Sequence, residues 1–302
     1  MEQTKTLSKS ARKRKLVDTL TAYSFIAPNF IGFAIFTLGP IIFAVLLSFY
    51  DWDGSNPMKY IGINNYTRMV ADPRVRAAFM NTIIFVIGTV PLTLVCSLGL
   101  AVLLNQQIRG RNIFRTISFF PYVASLVAVA AVWNMIFSPV NGPINEILER
   151  LGVMDPPRWA ADKDWAMITV IFFSVWKQMG YYMVIFLAGL QGITAELYEA
   201  AELDGASNWG KFRNVTLPQL RPVTFFVLMM LTINSFKVYD QVYMITQGGP
   251  GTSTLVLVYE IYNTAFKNWN LGYSSAISML LFVLVLVVTI VQFRGESNFA
   301  KE

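Results

Sequence analysis

The residues capable of chemistry in this chain are few, and their types point away from catalysis. Histidine is absent, which removes the commonest general base and the commonest metal ligand. One cysteine, Cys96, allows neither an intrachain disulfide nor a cysteine metal cluster, so no metal site is expected. Two groups of residues remain. The first is the run Ala195-Glu196-Leu197-Tyr198-Glu199-Ala200-Ala201-Glu202-Leu203-Asp204-Gly205-Ala206, followed by Leu217-Pro218 and Arg221-Pro222. Its residues suit either a plain connector between two spans or docking. Ala200, Ala201, Gly205 and Ala206 leave bare backbone where another surface can pack, and Glu199 offers a charge to a basic partner. The second group is polar and sits in apolar surroundings: Ser174, Trp176, Lys177, Gln178 and Tyr181, then Asn234, Lys237, Tyr239, Asp240 and Gln241. Gln178, Tyr181 and Asn234 can hydrogen-bond hydroxyls, and Trp176 or Tyr181 can stack on a flat apolar face. An ionisable group inside a membrane span costs about 2.5–3.5 kcal/mol on insertion scales, so it faces a partner or a wet cavity. Lys237 and Asp240, three apart, can alternatively pair on one helix face.

The elements that must carry these residues are membrane helices. Of 302 residues 55% are apolar and 14% charged, against about 25% charged in soluble chains. So few charges cannot cover a globule of this size, and much of the surface must face lipid. No charge falls between Asp18 and Asp51, Arg76 and Arg109, Arg115 and Glu146, or Lys267 and Arg294. An apolar helix of about 20 residues crosses a bilayer. The gaps place spans near 22–50, 79–104, 114–137 and 273–293, and two stretches carrying internal charge, 165–190 and 223–245, complete six. The expected fold is an all-α integral membrane protein. Its core at 22–293 lies between a basic tail at 1–21 and a short tail at 294–302. Pro28, Pro40, Pro91 and Pro121 fall inside spans, where they shape the bundle.

Basic residues set the orientation. Lys5, Lys9, Arg12, Lys13, Arg14 and Lys15 precede the first span. Arg109, Arg111 and Arg115 follow the second, Lys211, Arg213 and Arg221 follow the fourth, and Arg294 and Lys301 follow the sixth. These outnumber the cations of the opposite side, which places both termini in the cytoplasm. The net charge of +6 is concentrated at the N-terminal end and not interleaved with aromatics, so no nucleic-acid partner is expected. The first apolar stretch is longer than a signal core and lacks an Ala-x-Ala site, so it is expected to stay.

Between spans, Asp72-Pro73 reads as a helix start, with 74–80 along the membrane surface. Residues 143–151 read as a short amphipathic helix. In the cytoplasmic loop at 191–222, good helix formers run from Ala195 to Leu203, with Thr194 as the cap and Gly205 as the stop. A second short segment follows from Ser207.

This loop resembles the signature of ABC importer membrane subunits: Glu199-Ala200-Ala201, Asp204-Gly205-Ala206, Phe212, Leu217-Pro218 and Pro222. The resemblance extends over nearly the whole chain to carbohydrate-type permeases of the maltose and glycerol-phosphate kind. It runs through Asn65-Tyr66, Asp72-Pro73, Asn81-Thr82, Arg109-Gly110-Arg111, Phe114-Arg115-Thr116, Pro121, Trp133, Phe137 and Gly142-Pro143-Ile144-Asn145. Gly248-Gly249-Pro250, Thr254, Ile261-Tyr262, Ala265-Phe266 and Gly272-Tyr273-Ser274-Ser275-Ala276 complete it. The resemblance implies a type I importer permease fold, with the Glu199 helix coupling to a cytoplasmic ATPase. It implies a second permease chain, usually a different one, two ATP-binding cassette subunits and an extracellular solute-binding protein. ATP and magnesium would sit on the ATPase subunits. This chain has no Gly-x4-Gly-Lys-[Ser/Thr] loop to cradle phosphates. In that family the corresponding parts of spans four and five line the central cavity in some members. The competing reading is an ion-coupled secondary transporter, with Lys177, Lys237 and Asp240 relaying charge. No inverted repeat accompanies it, and it leaves the 199–222 loop without a purpose.

Overall fold

The structure, a computed structural model, describes residues 9–299, with side-chain surroundings for 17–296. The ends of both tails, including the cations from Lys5 to Lys15 and Lys301, lie outside that side-chain range. The first helical stretch is α1 (Lys9–Phe33), a π-helical turn (Ala34–Leu38) and α2 (Gly39–Leu47). A two-residue ribbon, β1 (Tyr50–Asp51) with antiparallel β2 (Lys59–Tyr60), leads into α3 (Asn64–Ala71) and α4 (Pro73–Asn105). Then come α5 (Arg111–Val123), α6 (Leu126–Ile136), α7 (Pro143–Arg150) and α8 (Lys163–Gln191). The loop at 191–222 forms α9 (Ala195–Leu203), α10 (Asn208–Lys211) and α11 (Leu217–Gln219). The chain ends with α12 (Arg221–Phe236), α13 (Asp240–Ile245), α14 (Leu257–Tyr262) and α15 (Leu271–Phe299).

Among the described residues four helices are long and apolar enough to cross a membrane: Val17–Leu47, Pro73–Asn105, Lys163–Gln191 and Leu271–Glu296. The count reaches six when each of two bent helix pairs is one crossing. In the first pair α5 and α6 meet at 101°; in the second, Asn208–Gln219 meets α12 at 66°. Two expectations change. Residues 74–80 do not lie apart on the surface but form the first turns of α4. Asp72 and Pro73 start that helix, and the Asp72 carboxylate accepts the Arg74 N–H at 2.8 Å. The stretch 223–245 is not one continuous helix either. Lys237 and Val238 donate back only three residues, to Asn234 and Ser235. That tightens and ends α12, and α13 begins afresh at Asp240, whose charge suits a helix N-terminus.

The core lies where α4, α8, α12 and α15 converge. One half gathers Phe85, Phe173, Val242, Leu257 and Ile277, and the other Tyr182, Phe186, Leu190, Leu220 and Leu231. Hydroxyls at these contacts are mostly satisfied within their own helix. Thr82, Ser97, Thr169 and Ser174 each donate to the carbonyl four residues back, at 2.5–2.9 Å. Small residues set how closely the helices approach. A Cβ at Gly180 would run into the Ser118 backbone carbonyl of α5, and one at Gly88 would press on the Ile171 Cδ1 at 2.6 Å. The first is rigid backbone and the second the end of a flexible side chain. Gly180→Ala is therefore expected to cost the ~1–3 kcal/mol typical of overpacking and Gly88→Ala less. A thiol-reactive dye on half-buried Cys96 reports the unfolding midpoint on heating. Equal midpoints for the two variants would refute the close α5–α8 contact.

Candidate functional sites

The loop at 191–222 is a projection held rigid at both ends of α9. Its stop is a reciprocal pair of backbone bonds, Gly205 N–H to Glu202 O at 3.0 Å and Ala206 N–H to Ala201 O at 2.9 Å. Gly205 supplies the left-handed conformation this closure needs, at φ +78°. Its start differs from expectation: Thr194 has the extended backbone of a cap, but its side chain makes no capping bond. The Ser207 hydroxyl caps α10, accepting from the Gly210 N–H at 3.2 Å. Lys211 Nζ reaches Glu202 Oε2 at 2.8 Å, and the Tyr198 hydroxyl shares a 2.9 Å bond with Thr216 Oγ1. The hydrogen bond from Lys211 also holds the Glu202 carboxyl below the ordinary glutamate value. Glu199, Ala200, Asp204 and Gly205 face solvent, as do Leu217 and Pro218, while Ala201 and Ala206 are half-buried. Glu199 has no ion partner among the described residues.

One residue here escaped the sequence reading. Leu203, at the tip of α9, is 90% exposed. Its position as the last apolar residue before Gly205 was the available signal. A cleft of about 960 Å³ opens beside the projection, between the inner end of α4 and α10, with Leu98, Val102, Tyr198 and Trp209 among its walls.

The polar residues of spans four and five do not form one cluster. Ser174 is fully buried and spends its hydroxyl on Val170 O at 2.7 Å. Lys177 is buried, and its ammonium donates to Pro121 O at 2.9 Å and Ala124 O at 3.1 Å. Those carbonyls lie at the C-terminal end of α5, where the chain breaks, so a cation there both fills the hydrogen bonds and suits the helix dipole. Trp176 packs on Trp133, with centroids 5.2 Å apart, and Tyr181 stacks on Tyr122 at 4.4 Å and 17°. Gln178 is half-buried beside them. Across on α12, exposed Asn234 donates to the Tyr182 hydroxyl at 3.4 Å. Lys237 and Asp240 are both exposed, and no ion pair joins them, because the helix ends between them. The one-face pairing is thus replaced by two separate charges at a broken helix.

Many motif residues outside these sites pin the scaffold. Asn81 Nδ2 donates to Thr252 O at 2.7 Å and Leu255 O at 3.0 Å, and Thr82 Oγ1 accepts the Leu257 N–H at 2.9 Å. Arg74 forms a two-pronged bond to buried Glu260, at 3.0 and 2.8 Å. Tyr273 donates to Asp72 Oδ2 at 2.8 Å, and Asn65 bonds the carbonyls of Ser48 and Tyr50 at 2.9 Å. Together these fasten the segment 252–260 and the start of α15 to α4.

Lys177→Met should leave two buried carbonyls without a donor, at about 1–3 kcal/mol each. The expected result is lower abundance and an unfolding midpoint depressed well below that of Lys237→Met, whose charge is exposed. Similar midpoints for the two variants would show that Lys177 does not hold the α5–α6 break.

Comparison with known proteins agrees with this architecture. The family described as binding-protein-dependent transport system inner membrane component matches residues 93–297. The lactose transport system permease protein LacF of Rhizobium radiobacter is 36% identical over 95% of this chain and 97% of its own length. The sn-glycerol-3-phosphate transport system permease protein UgpA of Agrobacterium fabrum is 34% identical over 92% of this chain and 94% of its own. The crystal structure of a bacterial alginate ABC transporter in complex with alginate pentasaccharide-bound periplasmic protein contains a chain with the same fold. It superposes with a TM-score of 0.81, at 22% identity over 92% of this chain and 94% of that one. The protein therefore belongs to the binding-protein-dependent transport system inner membrane component family and is a multi-pass membrane permease subunit.

Proposed function

We propose that this chain is one half of the pore of an ATP-driven importer for a sugar or related polyhydroxylated solute. The observation that carries the reading is the α9 projection. It is an exposed helix bearing Glu199 and an almost fully exposed Leu203, tied to its surroundings through Lys211–Glu202 and Tyr198–Thr216. A free helix with an uncovered apolar tip fits a groove on a partner. The coupling loop at 191–222, with Glu199, Ala200, Ala201, Asp204, Gly205, Ala206, Leu217 and Pro218, docks on an ATP-binding cassette subunit. Two such subunits hold ATP and magnesium, and this chain needs no cofactor of its own. An extracellular solute-binding protein delivers the solute, and both termini are cytoplasmic.

A second permease chain, of different sequence, supplies the other half of the pore. Span one, Val17–Leu47, supports that partner and the lipid around it, since nearly all its apolar side chains are exposed in this chain alone. The solute class rests on relatives whose names specify lactose and sn-glycerol-3-phosphate, both polyhydroxylated. The pathway passes Trp176, Gln178, Tyr181, Asn234, Lys237 and Asp240. Closing of the ATPase dimer on ATP draws the coupling helices together and turns the cavity outward; hydrolysis returns it inward.

In proteoliposomes holding the full assembly and its binding protein, Glu199→Ala should lower uptake and binding-protein-stimulated ATP hydrolysis together. The expected loss is about tenfold or more, within the usual range of coupling between distant sites. Leu203→Asp should act in the same direction. Uptake that persists without ATP under a proton or sodium gradient, and that ignores both variants, would establish the ion-coupled reading instead.

A further inference from the structure

Outside the pathway residues, the structure places four tyrosines from two separate elements in mutual contact. Tyr239 and Tyr243 stack at 5.6 Å and 16°, and Tyr259 and Tyr262 run parallel at 6.4 Å and 13°. The two pairs cross at 40–69°, with every centroid separation between them at or below 6.3 Å. This is not simply a piece of core. Tyr259 is buried at the base, but Tyr243 is 38% exposed and Tyr262 half-exposed, so ring surface faces outward. Lys267 lies over the wall, its ammonium 5.4 Å from the Tyr259 ring centre and 5.9 Å from that of Tyr262. It is exposed and has no carboxylate partner among the described residues.

Beside Tyr259 and Lys267 a cleft of about 520 Å³ opens, with Asn263 in its lining. That volume falls in the ~300–1,000 Å³ range of small-molecule sites. Asn263 is only 8% exposed, and its Oδ1 has no hydrogen-bond partner. That oxygen has almost no accessible surface, so a ligand hydroxyl donates to it only once the Asn263 amide turns toward the cleft, which would satisfy an acceptor the protein leaves unmade. The combination asks for one kind of guest: apolar C–H faces for the rings, hydroxyls that accept from Lys267, and hydroxyls that donate to Asn263. Arg74 also lines the cleft but is already paired with Glu260, and a carboxylate or phosphate on Lys267 would leave the rings unused.

We propose that Tyr239, Tyr243, Tyr259, Tyr262, Asn263 and Lys267 form an outer oligosaccharide subsite at the entrance of the permease, built where the end of span five beyond Lys237 meets α14 and the turn after it. The inference rests on the sugar-import reading for its substrate class and on the outward orientation of this end. A sugar handed over by the binding protein would be held here before it passes inward. Tyr239 and Tyr243 sit immediately after the break in span five, so a sugar on this wall touches the segment that follows Lys237.

The test uses the assembled transporter in nanodiscs without its binding protein and a mixture of lactose, maltotriose and arabinotriose. Saturation-transfer NMR reads direct contact between sugar and protein. The wild type should give a signal that falls about threefold or more in Tyr243→Ala/Tyr262→Ala. The signal should persist in Tyr262→Phe, which keeps the ring. Cys96 labelling on heating confirms that each variant is folded. No wild-type signal, or a signal untouched by the double variant, overturns the subsite and leaves the import function standing. ATP-dependent uptake of none of the three sugars in the presence of the binding protein instead strikes the sugar reading itself.

Discussion

A backbone carbonyl released inside a bilayer has no water to bond, and each unsatisfied group there costs several kcal/mol. That constraint governs the whole molecule, because its bundle is built on interruptions. The sharpest lies between α5 and α6, where the chain turns through 101°. The carbonyls set free at that turn are taken by Lys177, an ammonium that reaches across from α8. The arrangement solves two problems together. The lysine finds acceptors and the negative end of a helix dipole for its charge, and the break finds a donor. Close approach makes it possible, since Gly180, three residues on, lets the α5 backbone lie directly against α8. The glycine and the lysine are parts of one joint.

The other interruptions are handled by the same means with different groups. At the end of α12 the backbone closes on itself through bonds three residues back, and a new helix starts on Asp240. The outer segment at 252–260 is irregular for several residues before α14. Asn81 and Thr82 satisfy its backbone from the side of α4, and Arg74 meets Glu260, the one buried carboxylate among the described residues. Motif positions in the first third of the chain thus act chiefly on the last third. They are far apart in sequence and close in space, and their work is to make irregular backbone tolerable at depth.

How much of this was legible in the sequence depended on whether the physics was local. Charge-free gaps located three of the four long spans and the bent α5–α6 pair, since lipid solvation is a property of the segment itself, while the fourth long span, α8, was read from an apolar stretch that carries Lys177. Asp72-Pro73 marked a helix start and Gly205 a helix stop for equally local reasons. Lys177 was visible as an ionisable group in a span, but the sequence offered no means of telling a pathway charge from a donor to a broken neighbouring helix. That distinction needed the positions of Pro121 and Ala124. Lys237 and Asp240 looked like a helix-face pair only on the premise of continuous helix, which bonds of Lys237 and Val238 three residues back end. The tyrosine wall was invisible because Tyr239 and Tyr243 meet Tyr259 and Tyr262 across an intervening turn. No periodicity records that meeting.

Under the proposed coupling, a push on α9 has to travel through the contacts that hold it. α9 contains no buried residue, so its own packing gives it little stiffness. Its rigidity comes from tethers: a closed C-terminal turn, the Lys211–Glu202 ion pair to α10, and the Tyr198–Thr216 bond to the turn before α11. An exposed ion pair contributes about 0–1 kcal/mol to stability, yet three tethers at different points fix orientation in a way one strong bond would not. Beyond them Gly189 brings α8 against Leu220 and Val223 at the foot of α12. A displacement of α9 therefore meets α12 through backbone-close contacts and not through a flexible linker. α12 ends at the break beside Lys237, where the outer half of span five is free to respond as a separate piece. Stiffness on one side and a break on the other set a flexible point at mid-span, beside Asn234 and Lys237 of the proposed pathway.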